Sequence, residues 1–134
     1  MKGLIIRPPW VDRILDGHKV WEIRGSRTTI RGRIALIRSG SGWVVGTVDL
    51  VDCLALTPDT YYQAESQHGI SGTSDRPLPY RRLYAWVLKN PERFAVPQPY
   101  SHPQGAVIWV NLPQIEPNSP SREVSTRSVF NWSL

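Results

Sequence analysis

The stretch from Ser39 to Leu56 constrains this chain more than any other. Ser39-Gly40-Ser41-Gly42 is a turn signal, and it opens into the long apolar run from Trp43 to Leu56. Asp49 and Asp52 are three apart in that run, so strict alternation puts them on opposite faces of a strand. For both carboxylates to reach water, a bulge or bend must lie between them. Bent, bulged strands of this kind form the corners of small barrels.

The remaining elements are short and closely spaced. Lys2 to Arg7 reads as a first strand, ended by Pro8-Pro9. Trp10, Val11, Ile14 and Leu15 then recur at helical spacing, with Asp12, Arg13 and Asp16 facing out and Gly17 as the left-handed stop. Further strands are expected at Lys19–Arg24, Arg33–Arg38, Leu83–Lys89 and Ala106–Leu112. A second helix is expected from Thr57-Pro58-Asp59, with threonine as cap, to about His68, stopping at Gly69. Asn90-Pro91 and the proline-laced Val96–Pro103 stretch read as an irregular crossover. Six strands, two short helices and mostly short connections predict a mainly β fold, a small antiparallel barrel over residues 1–112. Residues 113–134 are rich in proline and serine and read as a flexible tail.

Composition narrows the function classes. No apolar run approaches the roughly 18 residues of a membrane span. The N-terminal stretch offers only Leu4-Ile5-Ile6 before Arg7 and two prolines, too little for a secretory signal. One cysteine, Cys53, reads as a buried structural thiol, and a cytoplasmic setting is expected. His68 and His102 lack metal-ligand spacing, and no cofactor motif is present, so neither a metal nor a cofactor is expected. The net charge of +5 is unevenly spread. Residues 1–42 hold nine basic side chains against three acidic ones, a net of +6, and most of the nine are arginine. Arginine's planar fork suits phosphates and base edges, so nucleic acid is the favoured partner over a merely solvated basic surface.

The chemistry concentrates in Gly17-His18-Lys19-Val20-Trp21-Glu22-Ile23-Arg24. A glycine turn delivers Lys19 to the start of a strand on which Glu22 and Arg24 share a side. Lys19 either snorkels to the rim or, in a desolvated cleft, becomes a proton acceptor. Glu22 and Arg24 are either a structural ion pair or a coupled unit that meets base and phosphate. Trp10 is core or a stacking surface for a base, while Trp21 is expected in the core. Tyr84 and Trp86 share a strand face that can line the cleft, with core packing favoured for Trp86. The Ser39–Gly42 turn can present amides to a phosphate, and Ser39 is a minor nucleophile candidate.

In that context the chain resembles the ASCH (activating signal cointegrator homology) family of the PUA-like superfamily. Gly17, Lys19, Glu22 and Arg24 match the family's G-x-K-x-x-E-x-R pattern. The Pro9-Trp10 helix, Arg31-Gly32-Arg33, the Gly46–Cys53 strand, Tyr84-Ala85-Trp86-Val87 with Asn90-Pro91, and His102–Trp109 are also similar to family segments. The resemblance implies a small β-barrel with a cleft beside the first helix, floored by the lysine motif, for nucleic-acid or nucleoside ligands. Some members are hydrolases: one group deacetylates N4-acetylcytidine, and ribonuclease activity is attributed to others. The deacetylating group carries a threonine nucleophile three residues after its lysine, where this chain has Glu22. That group also uses a glutamate near the second helix, where Glu65 or His68 stands here.

Two functions compete. In the first, the domain binds single-stranded RNA or DNA, RNA favoured, or a modified nucleotide, through Arg7, Trp10, Lys19, Arg24, Arg27 and Tyr84. In the second, it hydrolyses RNA or a modified nucleoside, with Lys19 and Glu22 as the catalytic acid/base pair. An adaptor role for the tail is a third, blander reading.

Overall fold

The computed structural model describes residues 1–72 and 76–115. Its element order is β1 (Lys2–Ile6), α1 (Trp10–Leu15), β2 (Trp21–Arg24), β3 (Gly32–Arg38), β4 (Trp43–Leu56), α2 (Pro58–Gln63), α3 (Glu65–His68), β5 (Leu83–Pro99) and β6 (Trp109–Asn111). The strands form one sheet in the order β2-β5-β4-β3-β1-β6. Every pairing is antiparallel except β1 with β3. That parallel pair is possible because α1 and β2 lie between the two strands and supply the length a crossover needs.

The sheet curls without closing. Its end strands β2 and β6 are not paired with each other. Yet Arg24 on β2 donates from Nη2 to the Ile5 carbonyl of β1 at 3.0 Å, and Trp86 of β5 stacks on Trp109 of β6 with ring centroids 5.8 Å apart. Only a strongly wrapped sheet brings such distant strands together. The mainly β, barrel-like fold is as expected, its seam bridged by side chains rather than by a backbone ladder.

Two apolar clusters pack on the two faces of β3. Ile34 and Leu36 join Leu4, Ile6, Trp86 and the α1 residues Val11 and Ile14 inside the curl. Ala35 and Ile37 join Phe94, Val110 and Leu112 outside it. This explains why β3 reads as a continuous apolar run. Ile115 is fully buried in the outer cluster, so core packing continues past Leu112. Residues 116–134, most of the expected tail, lie outside the described residues.

Bulges shape the long strands. The β4–β5 register shifts between Leu50 and Asp52, which gives the bend that the two aspartates demand. Asn90-Pro91 does not end β5, contrary to expectation. Asp49 pairs with Lys89 and Thr47 with Glu92, so Asn90 and Pro91 bulge out with Asn90 at φ 55° and the strand continues to Pro99. Proline's missing donor is tolerated there because the bulge has already left the ladder. The last strand is shorter than expected, Trp109–Asn111, and the second helix breaks at Ala64 into α2 and α3. Thr57 caps α2 as anticipated, its Oγ1 accepting from the Thr60 N–H at 3.1 Å. Cys53 is half-buried, not buried, because the outer end of β4 extends beyond the core and leaves Val51 and Leu54 exposed. Among the described residues no helix is long and apolar enough to cross a membrane.

Candidate functional site

The Lys19 motif is aimed by a tight turn. Gly17, at φ 83°, stops α1, and the N–H groups of His18 and Lys19 both donate to the Arg13 carbonyl at 2.9 and 3.1 Å. Val20 is then clasped on both sides, donating to the Gln67 carbonyl and accepting from the Leu88 N–H. Held in this way, the Lys19 side chain turns inward and is only 2% exposed. Gly69, left-handed at φ 72°, follows α3 and lies so close that a Cβ there would sit 3.4 Å from the Lys19 Cβ.

Lys19 Nζ donates to the His68 carbonyl at 2.5 Å and lies 3.7 Å from Glu22 Oε1. The other carboxylate oxygen of Glu22 accepts from Arg24 Nε at 2.8 Å. One buried carboxylate is thus shared by an ammonium and a guanidinium; alternation anticipated that Glu22 and Arg24 share a side, and the turn brings Lys19 to them. Burial pushes the Lys19 ammonium below the usual lysine range, against the opposing pull of Glu22. The neighbouring charges of Arg24 and Arg13 push the same way as burial. Its Nζ also lies 5.4 Å from the centroid of the Trp10 ring, within cation–π reach.

His68 carries its own fixed tautomer. Its Nδ1 accepts from the Ile70 N–H at 3.0 Å, so Nε2 holds the proton and donates to the Tyr61 carbonyl at 2.9 Å. The ring stacks on Tyr61 with centroids 4.7 Å apart. A neutral, fully satisfied histidine therefore orients the backbone carbonyl that grips Lys19. It is a positioning residue, and among the described residues no cluster able to hold a metal ion is found.

These groups face a cleft of about 500 Å³ between α1, β1, β2 and the segment after α3. Arg7, Trp10, Lys19, Glu22 and Arg24 all line it, as do Ser39, Tyr61, Arg76, Tyr80 and Val107. A volume of this size, with two partly exposed aromatic rings and convergent ionic groups, suits a small polar ring system. The ASCH family model matches residues 4–98, which span this whole constellation except Val107. The chain belongs to the ASCH domain family.

Solved structures agree in fold. ASCH from Zymomonas mobilis is 14% identical, with a TM-score of 0.65 over 96% of this chain and 94% of that one. A tyrosine-to-phenylalanine variant of the Zymomonas protein gives 14%, 0.65, and 96% of each chain. A serine-to-alanine variant gives 15%, 0.63, and 96% and 94%. No curated protein matches by sequence.

Within this ASCH domain the sequence candidates divide. Arg27 and Tyr84 are outside the cleft lining; they lie together elsewhere, the guanidinium 5.6 Å from the ring centroid. Trp86 is core, donating from Nε1 to the Ser26 carbonyl, and Trp21 is half-buried against the cluster of Ile23, Tyr61, Leu83 and Ala85. The arginine surplus is also partly spent within the fold. Arg33 pairs with Asp49 at 3.0 Å, Arg38 pairs with Asp12, and Arg24 is committed to Glu22 and Ile5. Tyr61, Arg76 and Tyr80 were not legible as site residues. They arrive from a segment distant in sequence, and nothing in its local pattern marks the side that meets β2.

Proposed function

We propose that this ASCH domain binds single-stranded nucleic acid, RNA in preference to DNA, and takes one nucleotide into the Lys19 cleft. The observation that carries this reading is the convergence of stacking rings, a buried carboxylate and exposed arginines around a single hollow of about 500 Å³. Trp10 and Tyr80 supply π-faces for the base. Glu22 accepts from an exocyclic amine at the floor, and Lys19 donates to a carbonyl of the same ring. Arg7 and Arg76, both exposed at the rim, hold the flanking phosphates. Arg24, with two donors already engaged, acts through Glu22 by fixing its carboxylate. The preference for RNA rests on the family resemblance.

The test is fluorescence anisotropy with labelled single-stranded RNA. Affinity is expected to fall linearly in log–log form with salt, by about 0.7 per phosphate contacted. Lys19→Ala and Arg7→Ala are each expected to weaken binding. Binding indifferent to salt and to both substitutions would overturn the reading.

A second reading is favoured by one observation, the desolvated Lys19 beside Glu22. An amine that releases its proton easily can take one from an attacking hydroxyl or water and later return it to the leaving group. The domain then hydrolyses RNA or a modified nucleoside such as N4-acetylcytidine. Under this reading Lys19→Gln abolishes turnover while leaving the circular-dichroism spectrum unchanged. Equal product from both proteins would exclude it.

A further inference from the structure

The Lys19 cleft does not stand alone. A second hollow, of about 410 Å³, is lined by Gly40, Gly42, Tyr100, His102 and Ala106, and it shares Ile5, Ser39 and Val107 with the first. The two therefore adjoin, separated by the shared wall of those three residues. Arg7, exposed and lining the first cleft, directly follows Ile6, whose carbonyl accepts the Ser39 N–H of the shared wall at 3.0 Å.

We infer that the second hollow is a subsite for the adjacent nucleotide, making the ligand a polynucleotide that runs across the Ile5–Ser39–Val107 wall rather than a lone nucleoside. This rests on the reading of the first cleft as a nucleotide site. Three features of the hollow carry it.

The first is a prearranged aromatic platform. The Tyr100 hydroxyl donates to His102 Nδ1 at 2.8 Å, and His102 Nε2 donates to the Ala106 carbonyl at 2.8 Å. The two rings meet edge to face, with centroids 5.8 Å apart. This clamp fixes the loop and the half-buried Tyr100 ring before any ligand arrives, so little ordering remains to oppose stacking of a base.

The second is an open backbone flank. Gly40 and Gly42 have φ of 79° and 77°, and a Cβ at either would meet nothing within 4 Å. A phosphate can approach the peptide groups of the Ser39–Gly42 turn closely, as a residue with a side chain would not permit. The third is the ridge residue Val107, an apolar side chain 75% exposed between the hollows. It offers a contact for the sugar of a strand crossing from one hollow to the next, and nothing in the fold of the described residues requires it to be apolar.

The experiment titrates the full chain with cytidine 5′-monophosphate and with the single-stranded trinucleotide CCC, by calorimetry at fixed salt. The parent is expected to bind CCC at least about tenfold more tightly, the increment of one stacked base. His102→Ala and Tyr100→Leu are expected to remove most of that gain while shifting the mononucleotide far less. Tyr100→Phe, which keeps the ring but breaks its bond to His102, is expected to fall between the parent and Tyr100→Leu. Val107→Glu, on a solvent-facing ridge where folding is not at stake, is expected to weaken CCC binding by placing a carboxylate beside the crossing backbone. Equal affinity for the two probes, or CCC binding untouched by His102→Ala and Val107→Glu, would overturn the subsite while leaving the cleft reading standing. If neither probe binds, the cleft reading falls and the subsite falls with it.

Discussion

Lys19 and Glu22 are the clearest case of chemistry set by a few atoms. The Glu22 carboxylate lies between two cations, all three shielded from water, so removing it leaves two like charges unpaired in a poor solvent. Glu22→Ala is expected to cost about 3 kcal/mol, read from the midpoint of urea unfolding. Lys19→Met has a milder signature. Burial already disfavours the ammonium and Glu22 keeps Arg24 as its partner, so the loss is confined to the His68 carbonyl's donor, about 1 kcal/mol and well short of Glu22→Ala. Its RNA affinity is nevertheless expected to drop. A loss as large as that of Glu22→Ala together with unchanged binding would show that Lys19 is structural. The pairing of Glu22 with Arg24 was legible in the sequence, because alternation puts positions 22 and 24 on one side of the strand, and Lys19 joins them because the glycine turn ahead of β2 aims it inward. The His68 carbonyl that holds Lys19 was not legible, because a backbone acceptor leaves no trace in residue identity.

At the scale of elements, close approaches decide what can be altered. A Cβ on Gly46 would lie 2.4 Å from the Glu92 carbonyl oxygen and 2.6 Å from Leu15 Cδ2, where α1 presses onto the β4–β5 ladder. Gly46→Ala is therefore expected to destabilise by about 2–3 kcal/mol in the same denaturation assay. Gly25→Ala differs in kind. Its Cβ would lie 2.8 Å from Tyr80 Cδ1, 3.1 Å from Cγ and 3.3 Å from Cβ, so the whole Tyr80 side chain, on an exposed loop residue, must shift. The melting temperature is expected to hold while RNA binding weakens, because the displaced ring is a wall of the cleft. Element boundaries show the same division between local and tertiary control. The start of α2 was readable from the Thr57 cap, and the end of α3 from Gly69. The break at Ala64 left no local signal, and the passage of β5 through Asn90-Pro91 was not readable because it depends on how β4 and β5 fall into register.

For the whole molecule, charge and pH act together. The folded protein keeps His68 neutral, mainly through burial, with its affinity for a proton below the usual histidine range. Below pH 6.5 the unfolded chain takes up a proton that the folded one refuses, so stability declines as pH falls through that window. Asp12 and Asp49 add to the loss further down. Partial burial raises the Asp12 carboxyl, but bonds to Arg38 and Arg93 outweigh it, while Asp49 is lowered by bonds to Asn90 and Arg33. Stability present above pH 3.8 is lost as the pH drops toward their folded values. Unfolding midpoints measured against pH are expected to fall on the acid side, and His68→Gln is expected to flatten the portion just below 6.5.

The sequence by itself determined the strand-rich class, the bend in β4, the turn that launches Lys19 and the sharing of one side by Glu22 and Arg24. Each follows from local rules: alternation, capping, glycine's left-handed freedom and the need of charges for water. Tertiary structure alone decided which arginines remain available. Arg33 and Arg38 looked equivalent to Arg7 along the chain, yet the β3–β4 register set Arg33 opposite Asp49, the packing of α1 on the sheet brought Asp12 to Arg38, and Arg7 was left exposed at the rim. Tertiary packing likewise brought Arg76 and Tyr80 to the cleft and set the second hollow beside the first. Such partnerships join residues far apart in sequence, and their energies depend on distance and burial, which residue order does not encode.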